Sequence, residues 1–362
     1  MSPHPQEDAI ADGAMIKPYR FLQRIAQLLA YAYSALIVSY LILRLIFWDR
    51  LWPIALMGDF VPWIFLPIFL LPILGFFIIK KRWFAIVSSV AGICLLGWLH
   101  VTYFSPQQTN ISDSQPTLKI FSLNLGWHHK SPQALVNLIE EEKPDLICLQ
   151  EIKEDYAKEV FSKLAALYPH NLGRGYHVIL SRYPIRSFQK LKLAGGNEPQ
   201  ERAIIAMNQQ DVVLYNISTT PPWFRQHKIL PFLKIPVYEY GDRPAQIQDL
   251  VRRLQKETLP TIAAGDFNLT DQSQDYYYLR AVMQDAFRTA GVGFGFTFPH
   301  GWDLSLLVKQ LNWKLTFPLV RLDYVWYSHH WGAKSANVLP PIGSEHLPVS
   351  AQLRMRPEFG RV

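Results

Sequence analysis

Five short stretches of this 362-residue chain set polar residues where they could do chemistry. Asn124 closes Lys119-Ile-Phe-Ser-Leu-Asn, and Glu151 closes Leu146-Ile-Cys-Leu-Gln-Glu. Gly265-Asp266-Phe267-Asn268 follows Thr261-Ile-Ala-Ala, Arg321-Leu322-Asp323-Tyr324 comes later, and Gly343-Ser344-Glu345-His346-Leu-Pro-Val is last. Carboxylates, amides and one imidazole suit the hydrolysis of a phosphoester. That reaction must neutralise charge on nonbridging oxygens, present a water in line with the leaving oxygen, and protonate or stabilise the leaving group. A hard cation meets the first demand and prefers oxygen ligands, while a carboxylate and a His–Asp pair can manage protons. Taken singly, each stretch also has a plain structural reading: Asn124 as a turn residue, Glu151 as a surface charge, Asp323 as a strand-end cap, His346 as a core histidine, and Gly-Asp-Phe-Asn as a capped turn.

The elements that must hold these residues are legible from patterning. Thr117–Leu125 is β-rich, Gln133–Glu142 carries apolar residues at helical spacing before a Lys143-Pro144-Asp145 break, and Leu146–Gln150 reads as a buried strand. Further strand-length runs span 178–181, 203–207, 212–217, 261–264 and 324–327, with helical patterns near 245–257 and 276–286. An α/β domain with two packed sheets accommodates that order, and periodicity alone does not choose among such folds.

The order and spacing of the five stretches do. Over most of residues 117–356 the chain resembles the endonuclease/exonuclease/phosphatase superfamily, whose members include deoxyribonuclease-I-like nucleases, abasic-site endonucleases, neutral sphingomyelinases and inositol polyphosphate phosphatases. The Gly293-Phe-Gly-Phe-Thr297-Phe-Pro stretch is similar to its bacterial membrane-tethered branch. The resemblance implies a four-layer, two-sheet α/β sandwich and a metal-dependent phosphoric ester hydrolase using Mg²⁺ or Mn²⁺. By it, Glu151 is the principal metal ligand, with Asn124 beside it and Glu345 near the metal in place of the usual Asp. Asp266 orients and deprotonates water, Asn268 bonds that nucleophile or a phosphate oxygen, and His346 meets the phosphate with Asp323 holding its other ring nitrogen. Arg202 resembles a family arginine placed toward phosphate, with a surface strand charge as the equal alternative. Arg243 opens a helix in the family's Arg-x-x-Gln manner and reads as its anchor. Ser218 stands where many members carry a His that assists the leaving group; its hydroxyl, or that of Thr219, can donate a hydrogen bond but does not act as an acid near neutral pH. His128-His129 and His329-His330 are adjacent pairs whose side chains point apart on a strand or loop, so they stay outside the metal site.

Composition adds the setting. Hydrophobic residues make up 49% of the chain, and the excess lies before residue 105. Apolar stretches from about Ile25 to Phe47, Phe60 to Ile79 and Trp83 to Phe104 each approach the roughly 20 residues that cross a bilayer core, and Trp48, Trp52, Trp63, Trp83 and Trp98 border them as interfacial belts do. The first stretch lacks a small-residue cleavage site and is followed by two more, so it reads as an uncleaved anchor. Lys17, Arg20 and Arg24 before the first span and Lys80-Lys81-Arg82 after the second place the N-terminus inside, and three spans then place the domain outside; Arg44 and Arg50 weaken the bias. The expected organisation is a cytoplasmic tail (1–24), a three-span anchor (25–104) in a bacterial inner or plasma membrane, a linker (105–116), an extracytoplasmic catalytic domain (117–356) and a C-terminal tail (357–362).

The formal net charge of +7 resolves, after residue 104, to 28 Lys and Arg against 24 Asp and Glu, a spread-out excess of +4. Nucleic-acid binding asks for clustered charge, so a nucleic-acid partner is not favoured. Two cysteines exclude a disulfide framework. The apolar-aromatic insertion from Pro222 to Tyr240 reads either as a packed loop or as a lip that touches lipid. The leading expectation is therefore hydrolysis of a lipid-linked or amphiphilic phosphoester. The alternatives are an extracytoplasmic nuclease and a catalytically silent binding module on the same fold.

Overall fold

The computed structural model describes residues 5–106, 115–126, 131–173, 175–196, 198–207, 210–230, 233–306 and 309–357. Most of the expected linker and the His128-His129 pair lie outside them. The chain divides into two compact units, Met1–Thr102 and Tyr103–Val362.

The first unit is helical. Helix α1 (Pro5–Phe47) begins well before the apolar stretch, and a short α2 (Trp52–Asp59) follows it. Prolines at 62, 67 and 72 then recur every five residues, each removing a backbone donor that a regular helix would use. The backbone responds by changing pitch, from α3 (Val61–Phe65) through a 3₁₀ turn (Leu66–Leu70) and α4 (Leu71–Ile73) to a π turn (Leu74–Ile78). Helix α5 (Arg82–Tyr103) is regular. Three helical segments, Tyr19–Phe47, Val61–Ile78 and Arg82–Tyr103, are long and apolar enough to cross a membrane.

The second unit is a four-layer sandwich, as the family resemblance implies. Its first half runs β1 (Thr117–Asn124), α6 (Gln133–Glu142), β2 (Leu146–Ile152), α7 (Glu154–Leu164), β3 (His170–Leu172) and β4 (Tyr176–Ser181). The chain then crosses to the second sheet with β5 (Ile185–Leu191), β6 (Gln200–Met207) and β7 (Gln210–Ser218), makes a hairpin of β8 (Trp223–Leu230) and β9 (Leu233–Glu239), and returns through α8 (Arg243–Leu254) to β10 (Thr261–Asp266). After α9 (Gln274–Arg280), β11 (Gln284–Asp285), α10 (Ala286–Ala290) and the small pair β12 (Trp302–Asp303) and β13 (Lys314–Leu315), β14 (Asp323–Tyr327) completes that sheet. Strands β15 (Trp331–Val338) and β16 (Val349–Met355) close the first.

The two sheets repeat one pattern. Their orders are β15-β16-β1-β2-β4-β3 and β11-β14-β10-β7-β6-β5, each with one parallel pair at its centre, β1 with β2 and β7 with β10, and antiparallel neighbours elsewhere. Inward-facing residues such as Ile120, Cys148, Ala203, Leu214, Ala264 and Leu353 pack the sheets against each other. Outward-facing ones are covered by α6 and α7 on one side and by α8 and α9 on the other. Strand alternation assigns each residue to a face. Residues at the carboxyl ends of β1, β2, β7 and β10 therefore meet along one edge.

Sequence patterning misses β15 and β16, whose alternation is broken by Lys334, Ser335, Asn337 and Gln352, and it misses the exposed β5. The helical pattern near 276–286 is in fact α9, a two-residue strand and the start of α10. The Pro222–Tyr240 insertion is a hairpin that has no further strand partner among the described residues.

Candidate active site

Asp266 is the last residue of β10 and almost fully buried. Gly265 before it is obligatory: at φ 144° its chain runs so close to β7 that a Cβ would lie 1.9 Å from the Ile217 carbonyl oxygen. The Asp266 carboxylate accepts from the Asn268 backbone N–H (2.9 Å), the Asn268 Nδ2 (2.9 Å) and the Asn124 Nδ2 (2.9 Å). Asn124 also donates to Glu151 Oε1 (3.1 Å), so this one amide joins carboxylates from both sheets. His346 Nδ1 lies 2.9 Å from Asp323 Oδ2, and its Nε2 faces Asp266 Oδ2 at 3.9 Å. Asp266, Asp323 and His346 could each turn one ligand atom to a common point, those atoms lying within 4.8 Å of one another.

Backbone devices set these side chains. Glu151 sits in a β-bulge: pairing of β2 with β4 skips from Gln150↔His177 to Ile152↔Tyr176, leaving Glu151 as the extra residue at φ 52°. Bulges re-aim a side chain in this way. Asn268 is held at φ 49° by the buried Arg243, whose Nη1 donates to the Asn268 carbonyl (2.6 Å) while its Nε pairs with Asp275 (3.1 Å). Arg243 thus anchors the Asp266–Asn268 turn as well as its own helix. Ser344 ties the remaining ends together, its hydroxyl donating to the Asn124 carbonyl (2.7 Å) and accepting from the His346 backbone N–H (3.0 Å). The Thr297 hydroxyl accepts from the backbone N–H groups of Leu322 (3.1 Å) and Asp323 (3.3 Å), and Phe298 packs on the His346 ring.

Electrostatics follow from this crowding. Burial pushes the Asp266 carboxyl up from its ordinary value; the charge of His346 opposes that, and Asp323 and Glu151 add to it. Burial alone would lower His346, but the Asp323 and Asp266 carboxylates more than offset it and hold the imidazole well above its usual pKa.

Asn124, Glu151, Asp266, Asn268, Asp323 and His346 therefore converge. Ser218 ends β7 beside Asp266 in the parallel register, with its backbone N–H bonded to Gln200. Arg202 does not join them. Ala203, Ile205 and Met207 face the inter-sheet core, so Arg202 points to the opposite face of β6, where it grips Glu257 through Nε (2.7 Å) and Nη2 (2.8 Å). That alternation corrects the expectation that it meets phosphate at this edge. Glu345 contributes its backbone carbonyl to the His300 N–H (2.8 Å). Its carboxylate makes no hydrogen bond or ion pair among the described residues. Asn268 spends its Nδ2 on Asp266 and on the Thr219 carbonyl (2.8 Å), so its donors position the carboxylate and only its amide oxygen remains for a ligand. The Thr219 hydroxyl is likewise taken, by the Phe267 carbonyl.

One residue of the site carries no signal in the motifs. Tyr176 sits at φ 41° opposite the Glu151 bulge, and burial, reinforced by the Glu151 charge, pushes its phenol up from the ordinary value. Only its place in a Gly-Tyr pair before a buried strand marked it in the sequence.

The donor set fits a hard divalent cation. Three carboxylates and an amide oxygen are oxygen ligands of the kind Mg²⁺ and Mn²⁺ take, and Asp323 Oδ1 is buried without a partner among the described residues. Carboxylates packed this closely repel one another, and a cation relieves that repulsion.

Over residues 121–346 the chain matches the Endonuclease/Exonuclease/phosphatase family. Among solved structures it is similar to an endonuclease/exonuclease/phosphatase family protein from Bacteroides thetaiotaomicron, at 16% identity and a TM-score of 0.51, over 69% of this chain and 99% of that one. The corresponding protein from Bacteroides vulgatus gives 16% identity and 0.49 over 67% and 100%. Sphingomyelinase C from Streptomyces griseocarneus gives 15% and 0.45 over 66% and 99%. No curated protein matches the sequence. At these identities the structural likeness concerns the fold alone.

Proposed function

Because the chain belongs to the endonuclease/exonuclease/phosphatase family, whose members hydrolyse phosphoesters, we propose that it is a membrane-anchored, divalent-metal-dependent phosphoester hydrolase. The observation that carries this reading is the convergence of Glu151, Asp266, Asp323 and His346, from four separate stretches of chain, on one edge of the sandwich. A silent module has no physical need to keep such a costly buried cluster.

Each residue has a role that its surroundings support. Asp266, fixed through three hydrogen bonds, orients the attacking water and accepts its proton. Asp323 holds His346 by Nδ1, so the Nε2–H of the imidazolium is directed to the phosphate oxygens as charge builds there. Asn268 and Arg243 keep Asp266 in place. Glu151 and Asn124, with Asp323 Oδ1 nearby, would hold the cation. When bound, that ion supplies charge neutralisation at the nonbridging oxygens.

The substrate we favour is a lipid-linked or otherwise amphiphilic phosphoester on the extracytoplasmic face. The three apolar helical segments support a membrane setting, and the basic residues around the first two spans support that orientation. The β8–β9 hairpin exposes Trp223 and Phe224, and directly opposed Lys228 and Lys234 near its tip suit an anionic headgroup surface better than they suit each other.

The full chain in detergent micelles, assayed against phosphomonoesters, phosphodiesters, lipid phosphates and DNA, tests the reading. EDTA should abolish hydrolysis and Mg²⁺ or Mn²⁺ should restore it. Full activity in EDTA would refute metal dependence, and salt-sensitive DNA cleavage with no turnover of lipid phosphates would make the chain a nuclease.

A further inference from the structure

Between α10 and the small β12–β13 pair the chain runs through a loop rich in glycine and phenylalanine, and the second half of that loop supports the His346–Asp323 pair. The Thr297 hydroxyl accepts from the backbone N–H groups of Leu322 and Asp323, its carbonyl accepts from the Leu347 N–H (2.8 Å), and its own N–H donates to the Val320 carbonyl (2.8 Å). Phe298 packs its ring on the His346 imidazole, with centroids 4.8 Å apart. The backbone on both sides of the His346–Asp323 bond is thus tied to these two residues.

The first half of the loop is neither helix nor strand, and side chains from elsewhere fix it. Gly295 lets the chain pass so close to α10 that a Cβ there would lie 2.5 Å from the Phe287 ring. From α10, Arg288 donates through Nη1 to the Gly293 carbonyl (3.0 Å) and through Nη2 to the Phe294 carbonyl (2.5 Å). Its guanidinium also pairs with Asp271 (3.3 Å) and lies over the Tyr103 ring, 4.5 Å from the centroid. Tyr103, the last residue of α5, accepts the Gly293 N–H on its carbonyl (2.6 Å) and the Gln272 amide N–H on its hydroxyl (3.1 Å). The rings of Tyr103 and Phe104 both pack on Phe294, at 4.9 and 5.7 Å, and Phe294 stacks on Phe296 at 5.0 Å. Thr297 is the next residue along the chain.

We propose, on the strength of the hydrolase reading, that Tyr103 and Arg288 are positioning residues of the site. They clamp residues 293–296 and, through Thr297 and Phe298, hold His346 and Asp323 in place against Asp266. Neither touches substrate. Placement matters because a displacement of about 1 Å at a reacting group can cost about 10²-fold in rate. The residue that ends the third apolar helix is then also part of the support for catalysis.

Hydrolysis of nitrophenyl phosphate and bis(nitrophenyl) phosphate by the full chain in detergent micelles, with Mg²⁺, reads the effect. Tyr103→Leu keeps apolar bulk but removes the ring from beneath the guanidinium; it should lower kcat about 10-fold or more and leave KM within about 3-fold. Tyr103→Phe keeps the ring and gives up only the Gln272 bond, so it should hold kcat within about 2-fold of the unaltered chain. Arg288→Lys keeps the charge but loses the planar fork that serves two carbonyls, and it should fall as Tyr103→Leu does. The loss should pass through the imidazole. In a His346→Ala background, Tyr103→Leu should lower the remaining rate by less than about 2-fold, a non-additivity that general loosening of the domain does not produce. Equal losses in the two backgrounds overturn the proposal, as does an unaltered kcat in both Tyr103→Leu and Arg288→Lys. Should Tyr103→Leu unfold at a lower temperature than the unaltered chain, Arg288→Lys carries the same comparison. An unaltered chain that hydrolyses neither ester nor a lipid phosphate overturns the hydrolase reading itself, a result distinct from additive losses.

Discussion

At the scale of single residues, the proposed function makes the site a proton-handling pair set beside a cation-holding pair. Asp266→Asn and His346→Ala should each lower turnover by roughly 10² to 10⁴, the range for removal of a positioned base or acid. The pH profile follows from the directions of the two shifts. Asp266 has its pKa raised, so its basic form is lost as pH falls through a value higher than that of an ordinary aspartate. His346 is raised as well, so its imidazolium persists through neutral pH and is lost as pH rises through that elevated value. Rate measured against pH should show both limbs, and Asp323→Asn should bring the alkaline limb to lower pH. An alkaline limb unmoved by Asp323→Asn would mean that another group sets it. Most of this set was legible in the sequence because a strand end followed by a polar residue fixes both place and chemistry. Tyr176 was not, since nothing in Gly175-Tyr176-His177 announces a bulge on the neighbouring strand. Arg202 carried two equal readings, and the alternation of β6 puts it on the face away from this edge, against Glu257.

At the scale of elements, the space between the sheets behind the site is polar. Gln150 Nε2 donates to Asn216 Oδ1 (2.7 Å) and to the Ser122 hydroxyl (3.1 Å), and Asn216 Nδ2 reaches Glu201 Oε2 (3.3 Å). Burial pushes the Glu201 carboxyl up to about 7, only partly opposed by Asn216 and Lys190. Its folded pKa exceeds its ordinary value of 4.5, so the folded chain binds the proton more tightly. Stability is therefore lost progressively as pH rises from the ordinary value to about 7, and the full cost stands above it. Glu201→Gln should raise stability to thermal unfolding at pH 8 by about 1 to 3 kcal/mol, an advantage that vanishes near pH 4. Denaturation of the two chains at both pH values checks this; an equal difference at each would show that charge is not the cause. The network was invisible in the sequence. Glu201, Asn216 and Gln150 sit on three strands, and only the pairing of Glu201 with Asn216 and the stacking of one sheet on the other brings them together.

At the scale of the whole molecule, the apolar helical segments and the basic clusters around them make a claim about sides. A reporter fused at Val362 should behave as extracytoplasmic and one inserted at Lys81 as cytoplasmic. The reverse would move the substrate pool to the cytoplasm.

Strand β1, the first of the second unit, is central in its sheet, and its partner β16 is the last: Thr117 pairs with Arg354 and Ser122 with Val349. The paired residues of β1 and β16 are more than 200 residues apart in sequence. Non-local pairing of this kind is slow, because loop-closure entropy must be met before the contacts form. During synthesis β1 therefore emerges with one edge open and stays so until β16 has been made. The segment carrying His346 lies just before β16, so Asn124 and His346 come together only at that late closure. Biogenesis thus has a built-in order: the half-made chain exposes unpaired strand to aggregation or chaperones and has no assembled site. Loss of β16 should cost the whole candidate edge and not merely one side of it.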